Sequence, residues 1–272
     1  MARDTDRPRP GVAELIASML RLFVAFALVF TCRADELRTA SGHSMQYYVS
    51  LPQGWTADRT WPVVVVIESA NRQFQETLGI FVKARKDMPF ILAVPLVTTN
   101  GGANYRQAGT YRYSDSVWNL IEQDRCRFDM DGIAAMVADI RKLFGGEDRY
   151  FLTGWEAGGH TVWAMIFQHP EALRAAAPAV TNYAGRCLVS GFSTALSHTD
   201  LPVTVFQVES GRDVAPGRYV NLQSQQARKI AGEHGFRNVT ERVIADKPHS
   251  PLADEVLAYF ASVWAGRGSQ GR

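Results

Sequence analysis

Two kinds of hydrophobic pattern alternate along most of this chain. Continuous apolar, β-branched runs at residues 62–67 and 90–94 are typical of strands buried on both faces of a parallel sheet. Further strands are predicted at 46–51, 149–153, 173–180, 203–208 and 239–244. Apolar residues at helical spacing predict helices over 74–86, 128–144, 159–169, 220–234 and 252–264. Strands that alternate with helices indicate βαβ units, so we expect a single α/β domain with a mostly parallel central sheet and helices on both faces.

Residues 97–125 interrupt this alternation. They are rich in Gly, Asn, Tyr and Arg and have no clear periodicity, which predicts a long surface loop. Tyr111 and Trp118 lie in this stretch. Their rings are suited to stacking on a sugar or phenolic ligand, and equally to fixing the loop onto the domain.

The first 34 residues have the three-part layout of a secretory signal. Arginines precede an apolar run at residues 22–30, and small residues follow at the positions that a signal peptidase reads. The run is too short to span a bilayer as a helix. We therefore predict a cleaved signal peptide over 1–34, a mature domain over 35–272 and export to the periplasm or the medium, with no stable membrane span after cleavage. An uncleaved N-terminal anchor is the alternative.

Composition and charge narrow the class of protein. The 272 residues are 46% hydrophobic and 21% charged, which is ordinary for a globular protein. Residues 1–34 hold five Arg against three acidic residues, which leaves 24 basic and 24 acidic residues in the remainder. A neutral mature chain does not favour nucleic acid as a partner. No compact ligand motif such as H-E-x-x-H is present, so we predict neither a metal nor a cofactor.

Two cysteines, Cys126 and Cys187, remain after removal of the leader. An oxidising compartment permits a disulfide between them. The alternative is a pair of separate buried thiols, and spacing along the chain does not decide between the two.

The most specific motif follows the strand predicted at 149–153. Gly154 and Gly158 flank a short turn with Glu156 at its centre, and a helix follows. In the pattern G-x-S-x-G, such a turn presents a nucleophilic serine above a sheet, with glycines where the backbone packs too closely for a side chain. Both glycines have the required spacing, but the central residue is a carboxylic acid.

Residues 45–264 resemble the secreted polyhydroxybutyrate-depolymerase and feruloyl-esterase-like branch of the α/β-hydrolases. The resemblance lies in the turn and helix at 154–171, the turn that ends at Asp213, and the loop and helix from 247 to 260. It implies the α/β-hydrolase fold. It also implies that Glu156, Asp213 and His249 occupy the nucleophile, acid and histidine positions, in the order of that superfamily.

A second departure from the family pattern lies where the resemblance implies an oxyanion hole. A Gly-rich step is expected after the 62–67 strand, but Glu68 and Ser69 stand there. The N–H of Ala157, next to the elbow residue, remains available as the other donor. A carboxylate at Glu68 places negative charge near a developing oxyanion and opposes its stabilisation.

Three interpretations of this altered site remain open. In the first, Glu156 and Asp213 hold His249 between them as an imidazolium, whose raised pKa prevents it from acting as a base near neutrality. In the second, Glu156 or His249 activates water directly. In the third, Glu68 joins these groups in holding a cation, although no compact motif supports a metal.

We expect ordinary ester hydrolysis to be lost or very slow, because carboxylate attack on an ester would form an anhydride. The predicted protein is therefore an exported, esterase- or depolymerase-like protein with Glu156 in place of serine. One alternative is an active hydrolase that uses Glu156 as nucleophile or base. Another is a secreted module that binds a small or polymeric ester or a sugar through Trp155, Tyr111 and Trp118.

Overall fold

In the computed structural model, the residues described are 36–101, 106, 110–188, 191–194, 197–209 and 217–266. The predicted signal peptide and Asp213 lie outside them. The strands are β1 (Leu37–Thr39), β2 (Gln46–Ser50), β3 (Val63–Ile67), β4 (Ile91–Pro95), β5 (Tyr150–Glu156), β6 (Leu173–Thr181), β7 (Val203–Val208) and β8 (Val239–Ile244). They form an eight-stranded sheet in the order β1-β2-β4-β3-β5-β6-β7-β8.

The sheet is mostly parallel, as predicted. The β1–β2 and β2–β4 pairs are antiparallel, and every pair from β4 to β8 is parallel. All residues of β3, β4, β6 and β7 are buried, so the centre of the sheet is covered on both faces. Continuous β-branched and small apolar runs such as β3 satisfy this double burial.

The helices alternate with the strands, and the last helix follows β8. They are α1 (Phe74–Arg85), α2 (Asp115–Gln123), α3 (Arg125–Phe144), α4 (Gly159–Gln168), α5 (Ser197–Asp200), α6 (Gly217–Glu233) and α7 (Ala253–Ala265). α1 packs on β4 and α7, while α4 packs on β5 and β6. None of the helices in the described ranges is long and apolar enough to cross a membrane.

The segment predicted as an irregular loop contains α2, so that prediction is wrong over Asp115–Gln123. Ser114 caps this helix by accepting a hydrogen bond from the N–H of Val117. Tyr111 and Trp118 are only 8% and 5% exposed, and their rings pack together at 5.5 Å. Their side chains thus fix the segment onto the core, which is the packing alternative, and little of either ring is open to a ligand.

Cys126 and Cys187 form a disulfide, which answers the question that spacing left open. Cys126 lies in the first turn of α3, and Cys187 lies in the segment that follows β6. Their Cα atoms are 5.1 Å apart, within the range that the bond requires. The bond ties a helix to the segment that leaves the carboxyl end of β6.

Candidate active site

A sharp turn between β5 and α4 presents Glu156. Its φ of +48° lies in the left-handed region, which is uncommon for a residue other than glycine. The Gly158 N–H donates to the Trp155 carbonyl at 2.9 Å and the Asn182 N–H donates to the Glu156 carbonyl at 2.8 Å. This strand–turn–helix has the backbone geometry of a nucleophile elbow.

The glycines on either side of this elbow are required by contact with β3. A Cβ at Gly158 would lie 2.6 Å from the carbonyl oxygens of both Ile67 and Glu68. A Cβ at Gly154 would lie 2.9 Å from the Ile67 oxygen and 2.7 Å from Val162. The close approach that the motif predicted is therefore confirmed, and it places the turn directly against the end of β3.

Glu68, at the end of β3, is completely buried beside the elbow. Its carboxylate accepts hydrogen bonds from the Ser69 hydroxyl at 2.9 Å, the Trp155 indole N–H at 3.3 Å and the Thr77 hydroxyl. All three donors are neutral, and no cation in the described ranges lies within ion-pair distance. The structure therefore places the Glu68 carboxyl group beside the elbow, with its oxygens held by neutral donors.

Two backbone amides are free to donate at this place. Among the described residues, neither the Ala157 N–H nor the Ser69 N–H has a protein acceptor. The Asn100 side-chain amide donates to the carbonyls of Glu68 and Ser69, each at 2.9 Å, and so fixes the backbone after β3. Sequence reasoning missed Asn100, because nothing in its local pattern connects it with a residue about 30 positions earlier.

The structure brings His249 to the elbow through Trp155. The two rings are 5.9 Å apart, His249 is exposed and Trp155 is partly buried. No hydrogen bond or ion pair joins Glu156 to His249 in the part of the chain described here. The position of Asp213, the predicted acid, falls outside the described residues. The described ranges also contain no cluster of three or more side chains that could hold a metal.

A buried polar network supports the elbow helix from behind. Asp129 is fully buried and accepts hydrogen bonds from the backbone and hydroxyl groups of Thr98 and Thr99. The Thr99 hydroxyl in turn contacts that of Thr161, on α4, at 2.9 Å. Burial raises the pKa of Asp129 to about 6, despite these hydrogen bonds. Burial, with a smaller contribution from the nearby Arg186, lowers the pKa of His160 on the same helix to about 4.

Comparison with known proteins gives a fold but no close relative. No protein-family model matches this chain, and no curated protein matches its sequence. A thermostable esterase is 17% identical, with 86% of this chain and 62% of that protein aligned and a TM-score of 0.52. This chain therefore spans less than two thirds of that esterase.

Two further solved structures match over most of both chains. Poly(aspartic acid) hydrolase-1 from Sphingomonas sp. KT-1 is 17% identical, with 85% of this chain and 98% of that protein aligned and a TM-score of 0.56. LpqC, a poly(3-hydroxybutyrate) depolymerase from Bordetella parapertussis, is 15% identical, with coverages of 82% and 84% and a TM-score of 0.53. Together with the strand order, these likenesses show an α/β-hydrolase fold.

Proposed function

We propose that this chain is an exported protein of the carboxylesterase or depolymerase type in which Glu156 occupies the nucleophile position, and that it has little or no serine-esterase activity. The observation that carries the proposal is the left-handed turn at Glu156 between β5 and α4. The backbone has the form of a nucleophile elbow, and a carboxylate stands where such an elbow presents a hydroxyl.

The chemistry of the carboxylate supports slow or absent turnover. A serine that attacks an ester leaves an acyl-ester, which water hydrolyses. A carboxylate that attacks the same ester leaves an anhydride and is the weaker nucleophile. The Glu68 carboxyl group lies buried beside the elbow, where an ionised carboxylate would oppose the growth of negative charge on a substrate oxygen near Ala157 and Ser69.

Export is supported by two independent features. The leader has an Arg-rich start, a short apolar run and small residues at the cleavage positions. The second feature is the bond between Cys126 and Cys187, because disulfides form and persist in oxidising compartments.

Hydrolysis of p-nitrophenyl acetate and butyrate tests the proposal. The protein is purified from the exported fraction and its N terminus is read by mass spectrometry; an intact leader would overturn cleavage. Wild type is compared with Glu156→Ser, Glu156→Gln and the double variant Glu156→Ser/His249→Ala. We expect wild type to be silent and Glu156→Ser to gain activity that the added His249 change removes.

Two results would change this interpretation. Turnover by wild type that disappears in Glu156→Gln would make the carboxylate catalytic and would overturn the proposal. Silence of both wild type and a folded Glu156→Ser would show that the rest of the site has also lost its function, which would reject His249 as a working partner.

A further inference from the structure

A cleft of about 510 Å³ opens beside the connection between β3 and α1. Its lining includes Tyr48, Arg72, Gln73, Gln75, Glu76 and Thr110. The Arg72 N–H donates to the Ser69 carbonyl at 3.3 Å, so the cleft adjoins the backbone step of the candidate active site. Its volume is in the range of small-molecule sites.

Arg72 is the unexplained charge in this cleft. Its side chain makes no hydrogen bond or ion pair with any residue in the described ranges, and its Nε atom is buried without a partner. The guanidinium lies against the backbone of Gly101, where an added Cβ would overlap it. A partly buried guanidinium with an unused donor is costly to hold unless an acceptor is supplied, and no residue in the described ranges supplies one.

The surroundings define the kind of acceptor. Gln73 and Gln75 provide exposed amides, and the ring of Tyr48 offers an apolar wall. The carboxylate of Glu76 faces the same cleft, so the one cation is opposed by one anion. This balance disfavours a doubly charged phosphate and suits a single carboxylate, whose two oxygens match the two-donor fork of a guanidinium.

We propose that this cleft binds the carboxylate group of a small organic acid through paired hydrogen bonds from Arg72. The site lies outside the elbow, and its binding does not depend on turnover at Glu156. It therefore remains testable whether or not the chain hydrolyses esters.

Calorimetric titration with 3-hydroxybutyrate tests this site, with 3-hydroxybutyramide as the neutral analogue and inorganic phosphate as the other anion. The variants are Arg72→Gln, Arg72→Lys and Gly101→Ala, which displaces the guanidinium and keeps its charge. Arg237→Gln is the matched control, because it removes a positive charge from an exposed position outside the cleft. Thermal unfolding verifies that each variant is folded.

We expect the acid to bind to wild type and Arg237→Gln alike, and to bind at least about tenfold more weakly to Arg72→Gln, as loss of a charge-assisted hydrogen bond predicts. Arg72→Lys and Gly101→Ala are expected to fall between these. The proposal is overturned if wild type does not bind the acid at millimolar concentrations, if Arg72→Gln binds it as well as wild type does, or if the amide or phosphate binds equally well.

Discussion

Loss of the bond between Cys126 and Cys187 is expected to destabilise this protein substantially. The bond joins positions 61 residues apart, so it closes a long loop in the unfolded chain. Closing a loop of about 60 residues corresponds to about 4 kcal/mol of lost unfolded-state entropy at 25 °C. For a domain of this size, such a change lowers the melting temperature by about 10 °C.

Thermal unfolding of wild type, with and without dithiothreitol, measures this effect. Cys126→Ala/Cys187→Ala is the matched variant, because it lacks the bond in both conditions. Its melting temperature should equal that of the reduced wild type within the small difference that the alanines introduce, and it should not respond to reductant. Peptide mapping by mass spectrometry identifies the linked peptides directly.

The reasoning is refuted if reductant leaves the wild-type melting temperature unchanged, or if mapping finds both cysteines as free thiols in protein from the exported fraction. The bond also bears on the site. The segment after β6 that contains Cys187 begins beside Asn182, whose N–H holds the Glu156 carbonyl. Reduction should therefore make the elbow amides exchange faster with solvent deuterium.

Two further predictions concern packing and pH. In urea titrations, Gly158→Ala should lower the free energy of unfolding by about 1–3 kcal/mol, because the added Cβ overpacks against β3. Gly79→Ala is the control: a Cβ there meets nothing within 4 Å, so this change should raise the free energy of unfolding by about 0.5–1 kcal/mol. The pKa of Asp129 is raised from 3.8 to about 6, so the stability that this carboxyl contributes is lost as the pH rises through about 6. The pKa of His160 is lowered from 6.5 to about 4, so the stability that this imidazole contributes is lost as the pH falls from 6.5 towards 4. In urea titrations between about pH 4 and pH 7, the free energy of unfolding of Asp129→Asn should fall relative to wild type as the pH is lowered, and that of His160→Gln should rise relative to wild type. A difference from wild type that does not change with pH would contradict the prediction for that variant.

The secondary structure was predictable wherever burial imposes a simple hydrophobic pattern. Strands such as β3 are apolar at every position because both faces of the sheet are covered, so their ends agree with the prediction to within a few residues. α2 was missed because its nine residues make a short pattern and follow a segment rich in Gly and Tyr. The capping Ser114 and the apolar Val117, Trp118 and Ile121 at helical spacing were the signal that could have found it.

The candidate site was predictable only in the parts that adjoin one another in sequence. The two glycines of the elbow follow from backbone approach and are readable as a motif. By contrast, the donors to the Glu68 carboxylate include Thr77 and Trp155, which are 9 and 87 residues away. The four hydrogen-bonding groups around Asp129 come from about 30 residues away. Such partners are set by the packing of whole elements, which no local pattern records.

The steric and chemical requirements of this elbow are separable, and that makes the serine substitution a fair test. The left-handed turn at Glu156 results from the reversal between β5 and α4 and from the contact of Gly158 with the carbonyls at the end of β3. Neither depends on the side chain at position 156, and Asn182 holds that residue through its backbone carbonyl. A serine there would inherit the same backbone and the same amides at Ala157 and Ser69, which have no acceptor among the described residues. Any difference in turnover between the two residues therefore reports the chemistry of the side chain and not a change in the fold.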